Sequence, residues 1–285
     1  MPSFINTLNE NPILLYSATL VFGLLVGSFL NVVIYRLPKI LEQDWKGQCA
    51  ILLNQSPPKE EKLTLSTPNS TCPKCQHAIK PWENIPVLSY MFLQGRCSQC
   101  KNKISIRYPI IELVTALLSL VTIMSLGGNI AGLSALFLTW TLIVLTMIDA
   151  DTQLLPDNIT LPLLWAGLIL NVFNVFTTLE SALWGAVFGY LSLWSVFHLF
   201  KLITGKEGMG YGDFKLLAAL GAWFGWQMLP IIILLSSVVG AVIGIGMILI
   251  KGKDKNIPIP FGPYLAIAGW VTLIWGDQLK HLWLG

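Results

Sequence analysis

Long apolar runs dominate the chain and are broken by one extended polar stretch. Eight runs stand out, over residues 13–35, 109–126, 130–148, 159–177, 182–203, 214–228, 229–250 and 261–283. Most approach the ~20 apolar residues that an α-helix needs to cross about 30 Å of hydrocarbon. In lipid, every backbone N–H and C=O must be satisfied within the segment, so runs of this kind become helices. The pattern predicts an all-α polytopic membrane protein with about eight transmembrane helices. The sixth run is short, contains Gly221 and Gly225, and is expected to tilt or partly re-enter. Residues 36–108 are the one stretch able to form a small domain outside the bilayer. The expected division is an N-terminal transmembrane helix over 1–35, an insert over 36–108 and a membrane domain over 109–285.

Composition strengthens this picture. The chain is 54% apolar and 12% charged, with a mean hydropathy of +0.66, above that of soluble globular proteins. The first run lacks a preceding basic region and is too long for a signal-peptide core, so it is expected to remain as a span.

Charge sets the orientation. The insert carries eleven Lys and Arg against five Asp and Glu, and most other basic residues flank the fifth, sixth and seventh runs. With eight spans and the N-terminus outside, seventeen of the eighteen basic residues fall on the cytoplasmic side, leaving only Lys280 outside. Losing one span would scatter them over both faces. A basic insert beside a membrane reads as attraction to anionic headgroups. Nucleic-acid binding is not expected, because no recognisable fold accompanies the charge.

The insert also holds two CxxC pairs, Cys72-Pro73-Lys74-Cys75 and Cys97-Ser98-Gln99-Cys100, separated by twenty-one residues. Each pair sets two thiolates on one tight turn, and two such turns can build a tetrahedral Zn²⁺ site. Cysteines on the cytoplasmic side favour metal over disulfides. Four thiolates leave no open coordination position, so the expected role is structural, stapling an insert poor in large apolar residues. Cys49 is expected to be an unpaired thiol, with His77 a lesser substitute ligand.

Two carboxylates lie against the apolar runs, Asp149 in Ile148-Asp149-Ala150-Asp151 and Asp213 in Gly208-Met209-Gly210-Tyr211-Gly212-Asp213. A carboxylate within a span costs roughly 2.5–3.5 kcal/mol on insertion scales, which makes both functional candidates. A carboxylate pair can split a peptide bond, one member taking a proton from water while the other donates one. The topology sets both at cytoplasmic helix ends. Gly208, Gly210 and Gly212 remove Cβ atoms, allowing unusual dihedrals and close approach of a chain. The competing structural role for the aspartates is helix capping or pairing with Lys215. That role suits Asp151 and Asp157 better, Asp157 following Pro156 at a new helix.

These residues, taken together, resemble the type IV prepilin peptidases, GxGD-type aspartyl proteases of bacterial inner membranes. The resemblance rests on segments in order along nearly the whole chain. They are Gly27-Ser28-Phe29-Leu30-Asn31 through Tyr35-Arg36-Leu37-Pro38, the two CxxC pairs, Arg107-Tyr108-Pro109-Ile110-Ile111-Glu112, Ile148-Asp149 and Leu154-Leu155-Pro156-Asp157. The series ends with Gly208 to Leu216 and Ile259-Pro260-Phe261-Gly262-Pro263. The resemblance implies cleavage, at the cytoplasmic face, of the basic leader of type IV prepilins and type II secretion pseudopilins. The insert implies the bifunctional form, which then N-methylates the new N-terminal residue with S-adenosylmethionine. In family terms Asp149 and Asp213 match the catalytic pair, and Cys72, Cys75, Cys97 and Cys100 match the metal site. No methyl-donor fingerprint is visible. Asn31, Arg36 and Glu112 border the insert, where helix packing and snorkelling charge account for them.

An ion- or proton-coupled transporter would also explain membrane carboxylates, but it leaves the CxxC insert without a role. A secretion-assembly scaffold would not need the aspartates. His198 is expected to be buried and hydrogen-bonded. Trp140, Trp223, Trp226, Trp275 and Trp283 are expected in the interfacial belt, and Gly240, Gly244 and Gly246 at close helix contacts.

Overall fold

A computed structural model describes residues 11–56, 63–206, 208–251 and 260–284. Of the residues named above, Ile259 lies outside the described residues, as does the side chain of Trp283. The described chain is helical, and its β-pairing is limited to two isolated bridges inside the insert. Eight long helices coincide with the eight apolar runs: α1 (Pro12–Leu52), α2 (Arg107–Leu126), α3 (Ile130–Thr152), α4 (Asp157–Val172), α5 (Leu179–Thr204), α6 (Tyr211–Phe224), α7 (Leu229–Lys251) and α8 (Gly262–Leu284). Among the described residues, five segments are long and apolar enough to cross a membrane alone: α1, α2, α3, α5 and Trp226–Gly246 within α7 and the turn before it. The chain divides into two compact units, Met1–Gly128 and Asn129–Gly285.

In the first unit, α1 runs for 41 residues, about 60 Å at 1.5 Å per residue. That is about twice the hydrocarbon thickness, so the helix continues well past the apolar run that ends at residue 35. It packs on α2 through a seam of small residues. A Cβ at Gly23 would lie 2.7 Å from Ala116 Cα, and one at Gly27 would lie 2.7 Å from Glu112 Cα. Glycine four residues apart lets the two backbones touch, as in close helix pairs in lipid. The facing hydroxyls of Thr115 and Ser119 bond carbonyls of their own helix, at 2.7 and 2.6 Å, so burying them strands no donor.

Two polar side chains, Glu112 and Arg36, tie the insert to this helix pair, and a third, Asn31, ties the two helices to each other. Asn31 Nδ2 donates to the Tyr108 carbonyl at 3.1 Å, and Glu112 Oε2 accepts the Val87 N–H at 2.8 Å. The Arg36 guanidinium donates to the carbonyls of Thr64, Leu65 and Pro68, at 3.0, 3.3 and 2.7 Å. All three side chains are buried, so Arg36 does not snorkel to solvent as expected of a border charge.

In the second unit α6 is central, enclosed by α4, α5 and α8. Its residues from Asp213 to Trp223 are buried save for half-buried Lys215, the mark of a helix with no solvent face. At 14 residues it is about 21 Å long, and Gly225, at φ +84°, ends it. Gly185 on α5 and Gly221 on α6 meet backbone to backbone, with no room for a side chain on either. Asn171, at the end of α4, uses all four hydrogen-bonding sites of its amide. Its Nδ2 donates to the carbonyls of Ala222 and Trp223, and its Oδ1 accepts from the backbones of Phe176 and Thr177. One side chain thus closes the α4–α5 turn and the end of α6.

Three expectations are corrected here. Trp223 is fully buried and donates from Nε1 to the Leu163 carbonyl at 2.8 Å, so it belongs to the core rather than the interfacial belt. His198 keeps a hydrogen-bond partner, the Trp194 carbonyl at 3.0 Å, but it is exposed and stacks beside the Trp194 ring. Of the α7 glycines, Gly240 faces the Tyr264 ring, whereas a Cβ at Gly246 would meet nothing within 4 Å.

Candidate active site and metal centre

The second unit brings Asp149 and Asp213 together. Asp149 lies in the last turn of α3, which closes at Gln153 in the left-handed conformation with its N–H on the Asp149 carbonyl. Asp213 lies in the first turn of α6. Both carboxylates are buried, 5% and 6% exposed, and Gly262, which holds Asp149, and Gly212, which precedes Asp213, pack against the same side chain, Leu155. Asp149 Oδ2 accepts the Gly262 N–H, the first of α8, at 3.0 Å. Asp213 Oδ2 accepts the Gly210 N–H at 3.3 Å, while Oδ1 is buried with no hydrogen-bond partner among the described residues. Buried carboxylate oxygens are nearly always satisfied in folded proteins, so one without a partner calls for an explanation.

Capping alone does not supply it. The Gly210 contact uses Oδ2 and leaves Oδ1 without a role. Nor is Asp213 the partner of Lys215, whose Nζ lies 2.6 and 2.7 Å from the two carboxylate oxygens of Asp157. That ion pair joins α4 to α6 beside the site. Asp151 is exposed on the surface of α3.

The glycines act through space rather than through dihedrals. Gly208, Gly210 and Gly212 are absent from the residues with positive φ, so the expectation of unusual backbone angles is not met. Close approach is met at Gly212, where a Cβ would lie 2.7 Å from Leu155 Cβ. Leu155 is wedged between this glycine and Gly262, whose own Cβ would lie 3.1 Å from Leu155 Cδ1 and 2.6 Å from Asp149 Oδ2. Leu155 and Gly262 fall in segments that carried the family resemblance, yet spacing assigned neither a task. The structure makes them the spacers that set Asp149 against the start of α8.

The four paired cysteines converge in the insert. Their sulfurs all lie within 4.8 Å of one another, with Cys72 and Cys100 at 3.7 Å and Cys75 and Cys97 at 3.9 Å. Disulfide sulfurs would stand about 2.05 Å apart. A tetrahedral zinc with Zn–S bonds of about 2.3 Å puts its ligands about 3.8 Å apart, so the donor set fits this metal. The two turns repeat each other twenty-five residues apart. Cys72 N–H bonds the His77 carbonyl and Cys97 N–H the Asn102 carbonyl; Gln76 and Lys101 are both left-handed; and bridges pair Thr71 with Ala78 and Arg96 with Lys103. Backbone N–H groups of Cys75 and Lys74 aim at Cys72 and hold its thiol down to about 6, and those of Cys100 and Gln99 lower Cys97 in the same way. Such donors favour thiolates, the form that binds metal, while burial and the crowding of Cys100, Cys72 and Cys97 push Cys75 the other way, up to about 11. His77 does not join the set: its Nε2 lies 3.1 Å from Glu83 Oε2. Cys49 is a free, exposed thiol, as expected.

Comparison with known proteins agrees with both halves. Residues 21–126 match the bacterial peptidase A24 N-terminal domain, and residues 136–245 match the type IV leader peptidase family. A prepilin leader peptidase/N-methyltransferase of Pseudomonas aeruginosa is 57% identical over 278 residues, covering 97% of this chain and 96% of the relative. Proteins of the same name from Aeromonas salmonicida and Legionella pneumophila are 54% and 49% identical, over 96% and 99% of this chain and 95% and 99% of their own lengths. No solved structure matches the chain. With both domains matched in order and relatives aligned over almost their whole length, the chain belongs to the type IV leader peptidase family.

Proposed function

We propose that this chain cuts the leader peptide from type IV prepilins and type II secretion pseudopilins at the cytoplasmic face of the bacterial inner membrane. It then N-methylates the newly exposed N-terminal residue. The observation that carries the reading is the buried Asp149–Asp213 pair with its unpartnered Asp213 Oδ1, in a chain whose relatives carry both activities in their names.

The chemistry needs one proton across the pair, an arrangement that two neighbouring carboxylates favour. The ionised carboxylate takes a proton from water as the water oxygen bonds to the scissile carbonyl carbon. The protonated partner hydrogen-bonds the carbonyl oxygen and then passes its proton to the leaving nitrogen as the C–N bond breaks. The pair titrates as a unit, so these roles are assigned to the pair and not to one residue. Gly262 and Gly210 orient the carboxylates through their N–H groups. Cys72, Cys75, Cys97 and Cys100 would hold a structural Zn²⁺, which joins the two turns and offers no open position for chemistry. S-adenosylmethionine is the methyl donor that the second activity requires.

The test is leader cleavage of a prepilin by the purified chain with S-adenosylmethionine present, wild type beside Asp149→Asn and Asp213→Asn. Mass spectrometry follows both leader loss and methyl addition. Each variant is expected to lose about 10²-fold or more of the cleavage rate while remaining folded. Undiminished cleavage by Asp213→Asn overturns the assignment.

A further inference from the structure

The insert exposes apolar side chains that its own fold does not cover. Between the two cysteine turns, Trp82, Ile85, Leu88, Met91 and Phe92 are all exposed, Met91 at 68% and Phe92 at 84%. Leu88, Met91 and Phe92 share one face of the single-turn helix Leu88–Phe92, at positions i, i+3 and i+4. Isolated exposed apolar residues are ordinary, but a run of this size has to be covered by something.

The position of the run identifies the cover. Val87, in its middle, is pinned by its N–H to Glu112, which lies five residues into α2. At 1.5 Å per residue, Glu112 stands about 7.5 Å inside that span. Interfacial helices bury their apolar face about 5–10 Å into the boundary between headgroups and acyl chains, the same depth. Charge complements it: Lys80, Arg96, Lys101 and Lys103 are exposed nearby in sequence, and Lys80 Nζ lies 5.3 Å from the Trp82 ring centre. An apolar face fringed with cations suits anionic lipid.

We infer that residues 82–92 form an interfacial anchor, with Leu88, Met91 and Phe92 seated among lipid acyl chains beside α2. The insert is thereby held flat on the bilayer instead of projecting from it.

The test uses the full chain, zinc-loaded and with Cys49→Ser, in nanodiscs of phosphatidylethanolamine and phosphatidylglycerol. An environment-sensitive fluorophore is attached through Leu88→Cys, Met91→Cys or Phe92→Cys. Leu113→Cys, on the exposed face of α2, and Asn69→Cys, in an exposed loop, serve as lipid and water references. Background labelling is read from the chain without an added cysteine, and only variants with wild-type zinc content are read. The expected result is quenching by nitroxide-labelled lipid and protection from aqueous iodide at 88, 91 and 92, matching position 113 and opposite to 69. Iodide quenching at the level of position 69 overturns the anchor. So does protection from both quenchers, which would mean that protein, a second copy or a substrate helix, covers the face.

Discussion

Single atoms decide the site. A Cβ at position 262 would sit on Asp149 Oδ2, so Gly262→Ala must push that carboxylate off the α8 N–H. The expected outcome is a fall in cleavage of about 10²-fold, as small misplacements at a reacting centre produce, with helix content unchanged by circular dichroism. Trp223→Phe tests the core instead. It removes the indole's hydrogen bond to the Leu163 carbonyl, which keeps its partner within α4, at a cost of about 0.5–1.5 kcal/mol for the bond, measurable as a lowered unfolding midpoint. Glu83 answers to pH. The Lys80 N–H, the Ser98 hydroxyl and His77 hold its carboxyl at about 2, below its ordinary 4.5. A carboxylate held down in the folded state contributes stability above its ordinary value and loses it as pH falls toward about 2. Glu83→Gln should therefore lower the melting temperature of the zinc-loaded chain at pH 7, with the difference from wild type shrinking below about pH 4.5.

Helices were legible where their chemistry differs from that of their surroundings. All eight apolar runs became helices, because apolar backbone in lipid has few alternatives. What the apolar pattern hid is which face turns inward, since lipid and core are equally apolar. For that reason Trp223 read as interfacial, and α6 gave no sign of being enclosed on every side. Asn171 was overlooked for a related cause: one amide at a helix end looks like any other polar terminus until its four partners are in place. The cysteine turns and the aspartates were readable, because their types and spacing have few uses besides the ones considered. The α5–α6 crossing gives a sharp test of helix packing. Gly221→Ala drives a methyl into the Gly185 backbone and is expected to abolish stable expression. Gly246→Ala meets open space and should be neutral, or stabilising by up to about 1 kcal/mol, in a thermal unfolding assay.

Among the described residues, the four sulfurs cluster in the first compact unit and the carboxylate pair in the second. Metal analysis of the purified chain should find one zinc per chain, and none in Cys72→Ser. That variant is expected to expose the insert to protease while the described part of 129–285 resists, as read by mass mapping of the fragments. The Arg36 grip has a consequence for how this protein can vary. Its three hydrogen bonds go to backbone carbonyls of Thr64, Leu65 and Pro68, groups that every residue possesses. Leu65 can therefore change its side chain without loosening the hold, whereas Thr64 also shapes the loop, its Oγ1 accepting the Thr67 N–H at 2.8 Å. The guanidinium has no such freedom: lysine is a point charge that cannot match a planar fork spanning three acceptors. Mutational tolerance in this region is lopsided, wide at Leu65 and narrow at Thr64 and at one position on the helix the loop leans against.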